Sequence, residues 1–234
     1  MHGKKLIVVA LLGACSDSKE CVTPTLDEKI CDPAVVTFSL ASTNPYYPLQ
    51  PGSLAVLEGT EEGKQIRIER RVLGETQLIM GVMTRVLEAR EIQGGVLYEL
   101  ARNFYVEAAD GTVCYFGEDV EFFENGEVVS REGSWRAGSR GAKPGIIMPA
   151  APKVGDAYFQ ENAPDVALDQ GRVSATGATM TFAGKSYDNV ITIQDSNPLD
   201  DEDACEEEMK QYVPGVGEVV DTVKSLVSFT PPPP

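Results

Sequence analysis

The apolar positions of this chain recur in short runs, and most of the runs alternate with polar ones. Ile66, Ile68 and Val72 are separated by charged residues, and Val96, Tyr98, Leu100, Phe104 and Val106 share one parity. That period of two is the pattern of half-buried strands. The run Leu78 to Leu87 is apolar on both parities and reads as a strand covered on two sides. Further strands are predicted over Ala34 to Leu40, Ser53 to Gly59, Arg172 to Phe182, Asp188 to Gln194, Glu206 to Val213 and a last one near Glu218 to Leu226. Turn signals separate them: Glu61-Glu62-Gly63, Gly94-Gly95, Asp110-Gly111, Asn125-Gly126, Gly184-Lys185-Ser186 and Pro214-Gly215-Val216-Gly217. Helix is confined to short connections such as Asp165 to Asp169. The expected fold is all-β, an antiparallel meander with little helix that forms a barrel, a half-barrel over a helix or a two-sheet sandwich, alternatives that turn spacing does not separate.

The first residues follow another rule. His2, Lys4 and Lys5 make a basic start, Leu6 to Leu12 an apolar run, and Leu12-Gly13-Ala14-Cys15 closes it. The run is too short for a membrane-spanning helix, which needs about 20 apolar residues, and it has the length of a signal core. Its ending resembles the lipobox of bacterial lipoproteins, in which the cysteine is acylated and becomes the new N-terminus. The resemblance implies a signal at residues 1–14 and a lipidated N-terminus at Cys15; composition and the strand pattern then divide the chain into a polar tether over 15–45, a single all-β domain over 46–228 and a proline tail at 229–234. Two acyl chains suffice for stable anchoring. By resemblance to Gram-negative sorting, Ser16 after Cys15 places the protein at the outer membrane, on its periplasmic or its surface face.

The segments Pro48-Leu49-Gln50-Pro51-Gly52-Ser53 and Pro152-Lys153-Val154-Gly155-Asp156 each introduce a β run, which leaves open two similar halves. The segments GSWRAGSRGAKPGIIMPAAPKVGDAY (residues 133–158), NPYYPLQPG (44–52) and YVPGVGEV (212–219) resemble those of a group of bacterial lipoproteins in which they punctuate an all-β body. That resemblance supports location and fold and carries no activity or site.

Composition narrows the chemistry. Of 20 Lys+Arg, removal of residues 1–14 takes away Lys4 and Lys5 and no acid, which leaves 18 against 36 Asp+Glu and a net charge of −18. Such a body repels nucleic acid and anionic headgroups. The one histidine, His2, lies in the signal, so the mature chain has no Ser-His-Asp or Cys-His catalysis and no His-ligated zinc. Four cysteines remain beside Cys15, an even number that suggests disulfides in an exported protein. Cys114 and Cys205 both sit at parities that point to the core; the favoured pairing is Cys21 with Cys31 and Cys114 with Cys205, with unpaired thiols as the alternative.

Trp135, Arg136, Arg140 and Lys143 form the leading candidate site. Three cations fall within eight residues of an acidic chain, among glycines that let backbone N–H groups approach a ligand. They suit an anion, a sugar or a partner's carboxylate; the plainer reading pairs them with the protein's own acids while Trp135 packs beneath the loop. Tyr46 and Tyr47, flanked by prolines, make a candidate sugar platform or the sealed edge of a β core. Asp195, Asn197, Asp200, Asp201 and Asp203 are weak calcium candidates without the glycine and closing glutamate of an EF-hand loop, and otherwise a solvated acidic loop. Glu118 with Asp119 is an unspecific glycosidase pair among 36 acids. No cofactor is implied. The expected function is a lipid-anchored envelope protein with a non-catalytic binding or scaffolding role, partnered by the membrane through its anchor and by an envelope protein or a small anionic or apolar ligand. The alternative is a carboxylate-dependent hydrolase of envelope glycan or peptidoglycan, which requires two acids to converge with perturbed pKa values.

Overall fold

The computed structural model describes residues 21–199 and 205–233. The signal at 1–14, Cys15 and the acids Asp200, Asp201 and Asp203 lie outside the described residues. After a short 3-10 turn, η1 (Glu28–Cys31), and a two-residue strand, β1 (Phe38–Ser39), come β2 (Leu54–Glu61), β3 (Lys64–Ile79), β4 (Val82–Gln93), β5 (Val96–Ala108), β6 (Val113–Glu124) and β7 (Glu127–Ser130). The short strands β8 (Trp135–Arg136), β9 (Gly145–Met148) and β10 (Ala157–Phe159) lead to β11 (Gln170–Phe182), β12 (Lys185–Ser196), β13 (Glu208–Val213), β14 (Gly217–Asp221) and β15 (Lys224–Thr230).

All fifteen strands join one antiparallel sheet, in the order β10-β11-β12-β13-β14-β15-β2-β3-β4-β5-β6-β7, with β1 on β5 and β8 and β9 on β6. The architecture is therefore all-β, and the sheet is not closed. Two meanders, β2 to β7 and β10 to β15, meet where β15 returns to β2, with Ser225 opposite Glu58 and Thr230 opposite Leu54. Between β9 and β10 the backbones touch without a ladder: Lys143 N donates to Asn162 O in an isolated bridge. Gly145 lies so close to the next segment that a Cβ there would sit 2.1 Å from Gln160 O. Two apolar clusters fill the inside. The larger gathers Val72, Phe104, Phe116, Ile146, Met148 and Ile193, the smaller Leu57, Ile68, Val190, Val219 and Leu226; each fully buried large side chain contributes about 1.5–3 kcal/mol.

The chain from Cys21 onward lies against this body. Thr25 N and Leu26 N both donate to Ala157 O at 2.8 and 3.1 Å, and Gln170 Oε1 accepts from Cys21 N and Val22 N. Two disulfides pin the segment, Cys21–Cys205 and Cys31–Cys114. All four cysteines are thus paired, in the nested arrangement rather than the favoured one. The reason is spatial: η1 packs beside β9, which pairs with β6 at Cys114, so Cys31 arrives over the strand that holds its partner. Cys114 is fully buried as its parity implied, whereas Cys205 is a half-buried turn residue with φ 68° ahead of β13.

Several element boundaries differ from the sequence reading. Leu78 to Leu87 is no two-sided strand but the tip of the β3–β4 hairpin, turned at Met80-Gly81 with φ 49° and 80°. Leu78 is 60% exposed at that tip, and the turn escapes the sequence reading because its residues are apolar and Gly81 alone marks it. Val96 and Tyr98 are exposed while Phe104 and Val106 are buried; the ladder to β4 carries an extra β5 residue between Leu97 and Glu99, which breaks the parity of the strand there. The last strand is a hairpin, β14 and β15, turned at Thr222-Val223, and Asp165 to Asp169 is a turn closed by the Ala163–Ala167 bridge rather than a helix. The long central loop is laid onto the sheet as β8 and β9.

Candidate functional site

β6 carries the site. Its Gly117 has φ 135° and stands opposite Arg136, with Glu118 opposite Trp135. β8 comes so close at that point that only a residue without a side chain fits. This seats Trp135 beneath the loop, 5% exposed. Its ring meets Tyr115 edge-on at 5.3 Å, and its Nε1 donates to Glu161 Oε1 at 3.2 Å. Arg136 is consumed locally. Its Nη1 donates to Glu118 O and Trp135 O at 2.7 and 2.9 Å, its Nη2 meets Asp119 Oδ2 at 2.6 Å, and its guanidinium lies 4.1 Å from the centre of the Phe104 ring. Lys143 pairs with Glu28 Oε2 at 3.1 Å, which ties the loop to the N-terminal segment. Arg140 stands apart: exposed, in the left-handed region at φ 52°, and without an ion pair among the described residues. Of the three sequence-selected cations, two serve the protein's own acids and Arg140 has no ion pair among the described residues.

Beside Arg140 opens a cleft of about 320 Å³. One wall is Trp135, Ser139 and Ala142; the other is Ala163, Pro164 and Val166 from the turn after Glu161; Asp119 stands at the rim. The lining has two guanidiniums, Arg136 paired with Asp119 and Arg140 without an ion pair among the described residues, with hydroxyls and apolar carbons, a set suited to a small amphipathic ligand.

Behind the cleft lies a group of carboxyls that the sequence reading did not assemble. Gln160 N and Glu161 N both donate to Asp169 O, at 2.7 and 3.2 Å, so the 160–169 excursion has a narrow neck that brings Glu161 and Asp169 together. Asp169 and Glu118 are the acidic neighbours of Glu161, whose carboxyl accepts from the Trp135 indole. Burial pushes the Glu161 carboxyl up to about 8, and the charge of Glu118 adds to it. Burial likewise raises Glu118 to about 7 and holds Asp169 well above the usual carboxylate range, with the charge of Glu161 adding to the latter. Glu99, on β5, is raised to about 7 by burial and by Glu91 and Asp221. Glu118 was visible in sequence only as one acid among many; Glu161 and Asp169 carried no signal, because their meeting depends on the neck of a loop.

The other sequence candidates disperse. Tyr47 is 3% exposed, packs edge-on to Tyr105 at 5.0 Å and has its hydroxyl on Arg70 Nη2 at 3.2 Å; Tyr46 donates its hydroxyl to Asn189 O at 3.0 Å. The pair therefore seals the core edge and presents no platform of stacked rings. Asp195 is 6% exposed, pairs with Lys210 at 2.6 Å and accepts from Gln160 Nε2 at 2.8 Å, and Asn197 Oδ1 accepts from Leu199 N. Neither side chain is free for calcium, and among the described residues no three His, Cys, Asp or Glu groups come together to hold a metal ion. Asp119 is spent on Arg136, so the Glu118–Asp119 pair does not act together. No family model matches the chain, and neither does any curated protein or solved structure.

Proposed function

We propose that this protein is a lipid-anchored component of the bacterial cell envelope, held at the outer membrane through Cys15, whose all-β body binds a small anionic or amphipathic ligand, or a partner's carboxylate, without catalysis. The lipobox pattern at Leu12 to Cys15 supports the anchor, and two disulfides suit an oxidising compartment. The observation that carries the binding role is the cleft beside Trp135, into which Arg140 brings the one cation of its loop left without an ion pair among the described residues. Native mass spectrometry of the gently purified, acylated protein, set beside its denatured mass, tests this. A non-covalent adduct that is lost on denaturation and absent from Arg140→Ala supports the reading; a bare protein, or an adduct indifferent to Arg140, overturns it.

The hydrolase reading draws on a specific observation, the raised carboxyls of Glu118, Glu161 and Asp169. Binding is favoured over it because Glu161 is 8% exposed and engaged by Trp135, and none of the three carboxyls lines the cleft. Turnover of envelope glycan that vanishes in Glu161→Gln would reverse that preference.

A further inference from the structure

We propose that the tip of the β3–β4 hairpin is a second membrane contact: Leu78, Met80 and Met83 dip into the interface of the bilayer that holds the acyl chains of Cys15. The inference deepens the anchor reading and rests on acylation of Cys15. The tip is built for an apolar surface. Leu78 and Met83 stand directly opposite each other in the ladder at 60% and 44% exposure, and Met80 at the apex is 47% exposed. Nine residues in a row, Thr76 to Thr84, carry no charge in a chain of which 24% is charged. Other exposed valines differ: Val129 has Glu127 and Arg131 beside it, and Val154 has Lys153 and Asp156. Exposed apolar side chains gathered in an uncharged patch mark a contact surface. The tip is also braced from behind. A Cβ on Gly138 would lie 2.8 Å from Met80 Cγ, and Ile79 and Thr84 are buried. Little order has to be gained on docking.

The length of the tether names the occupant. Cys15 lies six positions before Cys21, a span of at most roughly 20 Å. Cys21 is fixed to the body by its bond to Cys205 and by its N–H, which donates to Gln170 Oε1 at 2.8 Å. The body of an acylated chain therefore stays at the lipid surface. From Cys21 the chain reaches Glu28 in seven residues, at most about 25 Å, and Glu28 shares a pocket of about 400 Å³ with Met80. The tip thus stands within reach of the bilayer that holds Cys15. Charge confines the contact to the tip. Asp27, Glu28 and Asp32 line the same pocket with Lys29 and Lys143, and among the described residues only Glu28 and Lys143 pair. An acidic body is pushed from anionic headgroups, whereas an uncharged apolar apex enters a zwitterionic interface to a depth of about 5–10 Å.

The test uses the full acylated protein in phosphatidylcholine vesicles, with and without bromine on the lipid chains, and Leu78→Trp as the reporter. After subtraction of the buried Trp135 of the wild type, its emission is expected to fall about two-fold or more in brominated vesicles. Val96→Trp, as exposed as Leu78 but about 40 Å away at the other end of β4, is expected to keep its emission. Leu78→Trp combined with Met80→Asp and Met83→Asp is expected to lose the quenching while still floating with the vesicles through its anchor. Should Leu78→Trp fail to fold, Met83→Trp reports from the opposite side of the same pair. Quenching that survives the two aspartates, or equal quenching of Val96→Trp, overturns the contact. Floating protein with an unquenched tip sinks the contact alone and leaves a protein as the occupant of the tip. Protein that does not float, and whose mass shows no acyl chains, sinks the anchor reading and the contact together.

Discussion

A Cβ placed on Gly117 would lie 2.4 Å from the carbonyl oxygen of Trp135. Neither backbone can retreat, since Arg136 stands opposite Gly117 in the ladder and Trp135 is packed on Tyr115. Gly117→Ala also meets φ 135°, which side chains disfavour. We expect it to cost about 2–4 kcal/mol by urea denaturation and to expose Trp135, read as a red shift of its emission. Wild-type stability and emission would show that β8 is not held at this point.

Glu218 is 6% exposed and pairs with Arg70 at 3.2 Å, and the Tyr212 hydroxyl also donates to it, at 3.3 Å. Glu218→Ala leaves the half-buried Arg70 guanidinium without its ion pair and is expected to cost about 2–4 kcal/mol. Adding Arg70→Met should recover part of that loss in a double-mutant cycle, because the second substitution removes the orphaned charge.

Stability should fall as pH rises toward neutrality and beyond. Glu161 and Glu118 start from an ordinary value of 4.5 in the unfolded chain and reach about 8 and about 7 in the folded one. Between those limits the folded state holds more protons than the unfolded state, so each unit of pH favours unfolding, and the loss ends once the folded values are passed. Urea midpoints measured from pH 5 to pH 8 are expected to decline, and Glu161→Gln to flatten the decline.

The two disulfides should differ in lability. Cys31 and Cys114 are both fully buried, whereas Cys21 and Cys205 are half-buried. Mild reductant followed by alkylation should label Cys21 and Cys205 first, with the inner pair labelled only in denaturant. The chain-entropy model gives about 4.5 kcal/mol for the 83-residue separation closed by Cys31–Cys114, so Cys31→Ser with Cys114→Ser is expected to lose about that much.

Cys15→Ala should abolish incorporation of labelled palmitate and release the protein from washed membranes in its producing cell. Retention of label in that variant would remove the anchor from the reading.

Strands were legible wherever one face is buried and a polar turn follows, as at Ile66 and Ile68 or at Asn125-Gly126. The β3–β4 turn was not, because its apex is Met80 between apolar neighbours and the pattern has no break. The pairing of the cysteines was hidden for a different reason: parity places Cys114 inside the body but says nothing of which distant segment lies over it. The candidate loop was half legible. Clustered cations in an acidic chain drew attention to residues 135–143, yet the sequence could not show that Asp119 and Glu28 claim two of them. The buried carboxyls were invisible, since Glu161 and Asp169 meet through the backbone of an irregular loop and no periodicity describes it.

The nested bridges set a problem of order. A chain that crosses a membrane N-terminus first presents Cys21 and Cys31 to the oxidising side together, while Cys114 and Cys205 are still 83 and 184 residues away from their partners. The earliest bond that chemistry allows is therefore a non-native one between the two leading cysteines, and reaching the native pairs requires exchange. Maturation of this protein should accordingly depend on an envelope disulfide isomerase as well as on the oxidase that introduces both bonds, and cells without the isomerase should accumulate species that retain a Cys21–Cys31 bridge.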